Sequence, residues 1–252
     1  MTKHLKVVPL GMAGAMLLFL LAPGALFALT GGEILARVDH NVDFKSISYT
    51  GTMIIHSGRT VRTKTMQVIA VGTSKALVEF TNPEDRDTKY LKIDQNLWIY
   101  FPSAQDTVKI SGQMLNQGMM GSSVSYRDAL ESSSLAKNYN ATLSGVATVD
   151  GRACYVLDLT AKVRNAAYAE RKMWVDEQRF IPLREEMYAQ SGLLLKVERT
   201  LRVEHIGDRW FPANVEISDK LVANSSTAFD MTSIAFDVPV NERIFSLFNL
   251  ER

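Results

Sequence analysis

The chain has 252 residues, with 28 Lys+Arg against 27 Asp+Glu, 46% hydrophobic and 22% charged residues, which is the balance of a folded globular protein and not of a disordered one. A formal net charge of +1 argues against a nucleic-acid partner, because a phosphate-reading face leaves a clearly basic total. One cysteine and four scattered histidines (His4, His40, His56, His205) exclude a disulfide framework and a Cys-based zinc site, so no metal and no cofactor is expected.

Lys3, His4 and Lys6 open a short basic start, followed by an apolar stretch over 7–27 that Pro9, Gly11, Gly14 and Pro23-Gly24 interrupt. Basic, apolar, helix-breaking and then small residues in that order make a secretory signal, expected to be cut after Ala28. A retained anchor is the competing reading, but the longest uninterrupted apolar piece, 15–22, has eight residues, too few to span ~30 Å of hydrocarbon. No cysteine follows the cut, so the mature chain is expected to carry no lipid anchor. Cleavage leaves 224 residues near net charge −1. With no linker or fixed-period repeat, residues 29–252 are expected to form a single domain.

Thr30 precedes Glu33 by three residues, and Ile34, Leu35 and Val38 follow at helical spacing, which predicts a capped amphipathic helix of about three turns. After Asp43 the period changes to two. Segments 47–56, 61–71, 75–81, 88–94 and 96–101 predict strands, separated by Ser57-Gly58, Gly72-Thr73-Ser74, Asn82-Pro83 and Asp94-Gln95-Asn96. A second set covers 142–149, 153–162, 170–176, 182–189, 193–205, 209–219 and 226–236. Over 196–204 the even positions are polar and the odd ones mostly apolar, predicting one wet and one buried face. Short connections make the strands an antiparallel meander, and this many in a row curl by twist toward a barrel or half-barrel.

Between the two sets, residues 109–121 hold Met114, Met119 and Met120 within seven positions, with Gly112, Gly118 and Gly121 at the joints. Ser125 and Asp128 predict a second capping box, opening a short helix through Leu130. Adaptable methionines between glycine hinges suit a movable lid over an apolar surface; the plainer reading is a plug for the barrel.

No GxSxG, P-loop, GxGxxG or metal-spaced carboxylate cluster is present. Glu84, Asp85 and Asp87 are expected to be solvated in a turn. Glu185 and Glu186 point to opposite faces of a strand and cannot act as a pair. Cys154, beside Tyr155-Val156-Leu157, is expected to be a buried, inert thiol. The chain is not expected to be an enzyme.

The run Leu97-Trp98-Ile99-Tyr100-Phe101-Pro102 after the Asn82-Pro83 turn, with the methionine block and Ser125-Tyr126, resembles the LolA-like outer-membrane lipoprotein-sorting proteins, in particular the branch associated with RND-type exporters. That resemblance implies an α+β fold: a strongly curved antiparallel sheet forming an incomplete β-barrel, with helices closing its concave apolar face. It implies a periplasmic carrier, acting as a monomer, that holds acyl chains of lipoproteins or other lipids. Its partners would be an inner-membrane RND-type exporter or an outer-membrane acceptor. One departure is Asn82, where the family places an Arg before the turn proline, so the family's gating is not carried over. The groove lining is expected from Phe80, Tyr90, Trp98, Tyr100, Phe101, Met114, Leu115, Met119, Met120, Met173 and Trp174. Period two puts Trp98 and Tyr100 on one face and Leu97, Ile99 and Phe101 on the other. Spacing leaves open which is concave; the family form points to Trp98 and Tyr100. Two alternatives stand beside the carrier. One is a lipid-sensing regulatory module resembling RseB, disfavoured because the chain ends before a second domain; the other is a lipid hydrolase, disfavoured by the missing nucleophile motif.

Overall fold

The Thr30 hydroxyl accepts the Glu33 N–H at 3.2 Å and the Glu33 carboxylate accepts the Thr30 N–H at 2.7 Å, so the predicted capping box starts helix α1 (Gly31–Asn41). The computed structural model describes residues 1, 29–131, 134–163 and 166–251. The signal assignment therefore lies outside the described residues apart from Met1. Among the described residues no helix is long and apolar enough to cross a membrane.

After α1 the chain lays down strands β1 (Ser46–Ser57), β2 (Thr60–Val71), β3 (Lys75–Phe80), β4 (Lys89–Ile93), β5 (Asn96–Phe101) and β6 (Asp106–Ile110). A second run gives β7 (Tyr139–Val149), β8 (Arg152–Ala161), β9 (Glu170–Asp176), β10 (Pro182–Tyr188), β11 (Leu194–Ile206), β12 (Arg209–Asp219) and β13 (Ser225–Phe236). Each run is an antiparallel meander, and β1 pairs with β13 to join them into one 13-stranded sheet. The tight links follow from their sequences. Asp150 and Gly151 have φ of 48° and 77° between the paired Val149 and Arg152, the double positive-φ turn whose twist matches a hairpin.

The order of strands explains the lid. β6 and β7 are the two edges of the sheet and do not pair with each other, so the barrel is incomplete. The chain between them must therefore travel from one edge to the other. It does so through 3₁₀ turns at Gly112–Asn116 and Met119–Gly121, then helices α2 (Tyr126–Leu130) and α3 (Leu135–Asn138). The Ser125–Asp128 capping box predicted for α2 is present. Helix α2 is tied to both runs of strands: Lys92 on β4 donates to the Ala129 and Leu130 carbonyls at 3.2 and 3.0 Å, and Lys196 on β11 reaches Asp128 at 2.6 Å.

Two large apolar clusters fill the concave side. Met53, Ile55, Met66, Val68, Phe80, Tyr90, Leu97, Ile99 and Ile110 pack beneath Tyr126 and Leu130 of the lid. On the second run, Ile34, Leu35 and Val38 of α1 pack against Leu157, Leu159, Met173 and Val175. The opposite face of β3–β5 is also covered: helix α4 (Leu247–Leu250) and the turn before it bring Phe245 and Leu250 onto Leu91, Trp98 and Tyr100.

Two expectations need correction, one on the start of the lid and one on Asp85. The stretch Asp106–Ile110 is a strand, not the start of the lid. Asp85 is not a solvated turn residue: it accepts from Lys64 and, at 2.6 Å, from the Asn82 amide, so the Asn82-Pro83 turn is bolted to β2. Glu185 and Glu186 do part company as predicted, Glu185 to Arg171 and Glu186 to Arg184 and Tyr188. Cys154 is a buried free thiol, and burial pushes its titration up, as an inert thiol requires.

Candidate functional site: a half-apolar, half-charged cavity

Curling the sheet under α1, α2 and α3 leaves a cavity of about 970 Å³ on the concave side, at the upper end of the range for small-molecule sites. One wall is apolar and comes from β1–β5 and β13: Tyr49, Met66, Val68, Val78, Tyr90, Leu97, Phe229 and Met231, with Met119 from the lid. Burial pushes the Tyr49 phenol up to about 12 and raises Tyr90 as well, so both present neutral, largely apolar surfaces. Lys92 also borders the cavity, its titration lowered by burial and its ammonium bonded to the end of α2.

The other wall is charged and comes from β9–β11 and α2. Arg171 pairs with Glu185 at 2.6 Å and lies 4.9 Å from the ring centroids of both Tyr139 and Tyr168. Asp128 accepts from Lys196 at 2.6 Å, from the Tyr168 hydroxyl at 2.7 Å and from the Ser125 N–H at 2.8 Å. Burial alone would raise the Asp128 carboxyl, but Lys196, Tyr168 and Ser125 together hold it below the usual range. Glu198 stands directly across from Glu185 in the β10–β11 register, half-buried on the cavity wall, and among the described residues its carboxyl makes no hydrogen bond or ion pair. Burial, then the Glu185 charge, pushes its carboxyl up to about 8, with Arg171 pulling only partly the other way.

The predicted lining residues separate into three groups. Tyr90, Met119 and Met173 border the cavity. Phe80, Leu115 and Met120 pack in or against the same concave cluster, with Phe80 fully buried and its ring 5.3 Å from that of Tyr90. The rest lie elsewhere. Trp98 and Tyr100 sit on the opposite face of β5, under Phe245 and Leu250; the concave face of that strand is the Leu97–Ile99 one. Trp174 alternates with Met173 and so faces outward, with Arg184 and Lys172 over its ring at 5.2 and 5.8 Å. Phe101 and Met114 are exposed. The wet face read on 196–204 is, for Lys196, Glu198 and Thr200, the inside of the cavity, while Leu201 is exposed. The charged wall carried a signal in the sequence, but it pointed to solvent.

Three solved structures share this architecture. A DUF1329 family protein from Desulfovibrio piger is 24% identical with a TM-score of 0.80, over 87% of this chain and 97% of that one. A putative outer membrane lipoprotein-sorting protein domain from Vibrio parahaemolyticus is 21% identical with a TM-score of 0.78, over 88% and 98%. A LolA superfamily protein from Nitrosomonas europaea is 24% identical with a TM-score of 0.72, over 87% and 98%. A family model described as that of an uncharacterized protein matches residues 72–252. The chain belongs to that family, and its fold is LolA-like. No curated protein matches. The LolA-like match spans the incomplete barrel, and the 72–252 match takes in the lid and all of the charged wall.

Proposed function

We propose that this protein is a periplasmic carrier, exported by a cleaved signal, that encloses acyl chains of lipoproteins or other lipids and moves them toward the outer membrane. An inner-membrane RND-type exporter is the proposed donor or acceptor partner. The observation that carries this reading is the 970 Å³ cavity itself, apolar along most of one wall and roofed by the methionine-bearing edge-to-edge segment. An acyl chain gains ~0.8 kcal/mol per buried CH₂, so a sixteen-carbon chain gains on the order of 10 kcal/mol before ordering costs. Carrying it across water calls for a shielded groove and no catalytic group. The lipoprotein-sorting description of the Vibrio parahaemolyticus structure agrees with this use of the fold.

The test is uptake of an environment-sensitive fluorescent fatty-acyl probe by the mature protein. A saturable rise in emission near one probe per chain, reversed by unlabelled lipid, is expected. Failure to take up the probe, with the fold intact, would remove the carrier reading and favour a protein-binding regulatory module.

A further inference from the structure

Three neighbouring hairpins, β1–β2, β12–β13 and β10–β11, turn at the same end of the sheet. The Gly58 N–H donates to the Asn224 carbonyl at 3.1 Å and the Lys220 N–H to the Leu195 carbonyl at 2.8 Å, so each tip is tied to the next. Two strand spacings of ~4.8 Å put neighbouring tips about 10 Å apart. Hairpin tips ordinarily carry polar residues, but Leu193, Leu221 and Val222 are 54, 60 and 52% exposed, and Val61, the second residue of β2, is 56% exposed. The β12–β13 turn is held in this shape by Asp219, whose carboxylate accepts from the Leu221 and Val222 N–H groups at 2.7 and 3.3 Å. Over residues 57–62, 189–194 and 219–225, Asp219 is the one acid, set against Arg59, Arg62 and Lys220; Arg59 and Lys220 are exposed.

The same end carries the lid. The Ser123 N–H donates to the Thr227 hydroxyl at 2.9 Å, the Ser123 and Ser225 hydroxyls are 3.2 Å apart, and Arg62 donates to the Gly121 carbonyl at 3.4 Å. The turn that follows Met119 and Met120 therefore rests on two of the three hairpins. We propose that this rim docks on anionic phospholipid bilayers, with Leu193, Leu221 and Val222 entering the interface and Arg59 and Lys220 meeting the headgroups. On the carrier reading above, docking brings the lid to the membrane that gives or takes the cargo. Exposed apolar residues scattered singly need no explanation, but a cluster rimmed by charge marks an interaction surface. The sign of the charge selects the surface: cations beside shallow apolar groups match an anionic bilayer, whose potential acts within about a Debye length. The mature chain is near net charge −1, so the attraction comes from this rim and not from the molecule as a whole.

The experiment is co-sedimentation of the mature protein with large unilamellar vesicles, of phosphatidylcholine alone or with a third of it replaced by phosphatidylglycerol. Binding to the anionic vesicles is expected to be at least about tenfold tighter than to the neutral ones, and to weaken as salt is added. Leu221→Ser with Val222→Ser is expected to lower binding to the anionic vesicles roughly tenfold, and Arg59→Gln with Lys220→Gln by about as much. None of these four residues borders the cavity. Both variants are therefore expected to take up the acyl probe in vesicle-free solution as the wild type does, which also reports that they fold. Equal binding to the two kinds of vesicle, or wild-type binding by either variant, would overturn the inference. Sedimentation with neither kind would overturn it too, and favour a protein partner at the rim. In each of these cases probe uptake leaves the carrier reading standing. A protein that takes up no probe, yet binds the anionic vesicles through these residues, would overturn the carrier reading alone.

Discussion

Replacing Met119 and Met120 together by aspartate is expected to lower acyl-probe affinity by roughly two orders of magnitude, since a polar group buried without a partner costs ~1–3 kcal/mol and a decade in affinity is ~1.4 kcal/mol. Met119 borders the cavity, and Met120 packs against the concave cluster it shares with Tyr90 and Leu97. The fold is expected to survive, for two reasons. Neither methionine is fully buried in the lid's 3₁₀ turn, so solvent remains within reach when the cavity is empty. Met120 also has a φ of 54°, a left-handed conformation that aspartate tolerates better than most side chains. Circular dichroism and a cooperative melt are expected to match the wild type, while the probe titration collapses. Unchanged probe affinity would show that the lid is not part of the binding surface.

Arg171→Met is expected to cost about 3–5 kcal/mol of stability at pH 8, the size of effect seen when one member of a buried ion pair is removed. The Arg171–Glu185 pair is 2.6 Å long, with side chains only 12% and 7% exposed, and the Arg171 charge also pulls the Glu198 pKa down against burial and Glu185. Without it, two facing carboxyls share a low-dielectric wall with Lys196 tied to Asp128. The sign of the pH dependence follows from Glu198. Its folded pKa is raised above the unfolded one, so the folded protein binds more protons between them and stability falls as pH rises through that window. Losing Arg171 widens the window, so the deficit against wild type is expected to grow toward pH 8 and shrink toward pH 5 in urea denaturation. Adding Glu185→Gln is expected to recover much of the loss, because it removes the stranded charge. A deficit that does not change with pH, or is not relieved by the second substitution, would mean that Arg171 acts through packing on Tyr139 and Tyr168 instead.

Much of the fold was legible because strands and caps announce themselves locally. The Thr30–Glu33 and Ser125–Asp128 boxes and the 96–101 strand fall where the residues put them. Helix α4 and strand β6 were missed because four or five residues are too few to display a period. The faces were harder for a different reason. β4 and β5 are buried on both sides, by the lid cluster through Tyr90, Leu97 and Ile99 and by the C-terminal segment through Leu91, Trp98 and Tyr100. Alternation then distinguishes two faces without ranking them. Aromatic size was a poor guide: the large rings Trp98 and Trp174 point away from the cavity, and its apolar wall is built largely from Met66, Val68, Val78 and Met231. The charged wall was the deepest miss. Lys196 and Glu198 sit on a strand whose polar alternation ordinarily marks the solvent side, and only the curl of the sheet turns that side inward, while Glu185 shares the buried face of β10 with Met187.

The central claim is that the cavity carries an acyl-bearing molecule. Native mass spectrometry of the protein isolated under mild conditions from its own cells, followed by denaturing lipid analysis, tests it most directly. The account predicts a co-purified amphiphile near one per chain, released on denaturation. A protein that leaves its cells empty and afterwards takes up no acyl probe would contradict it.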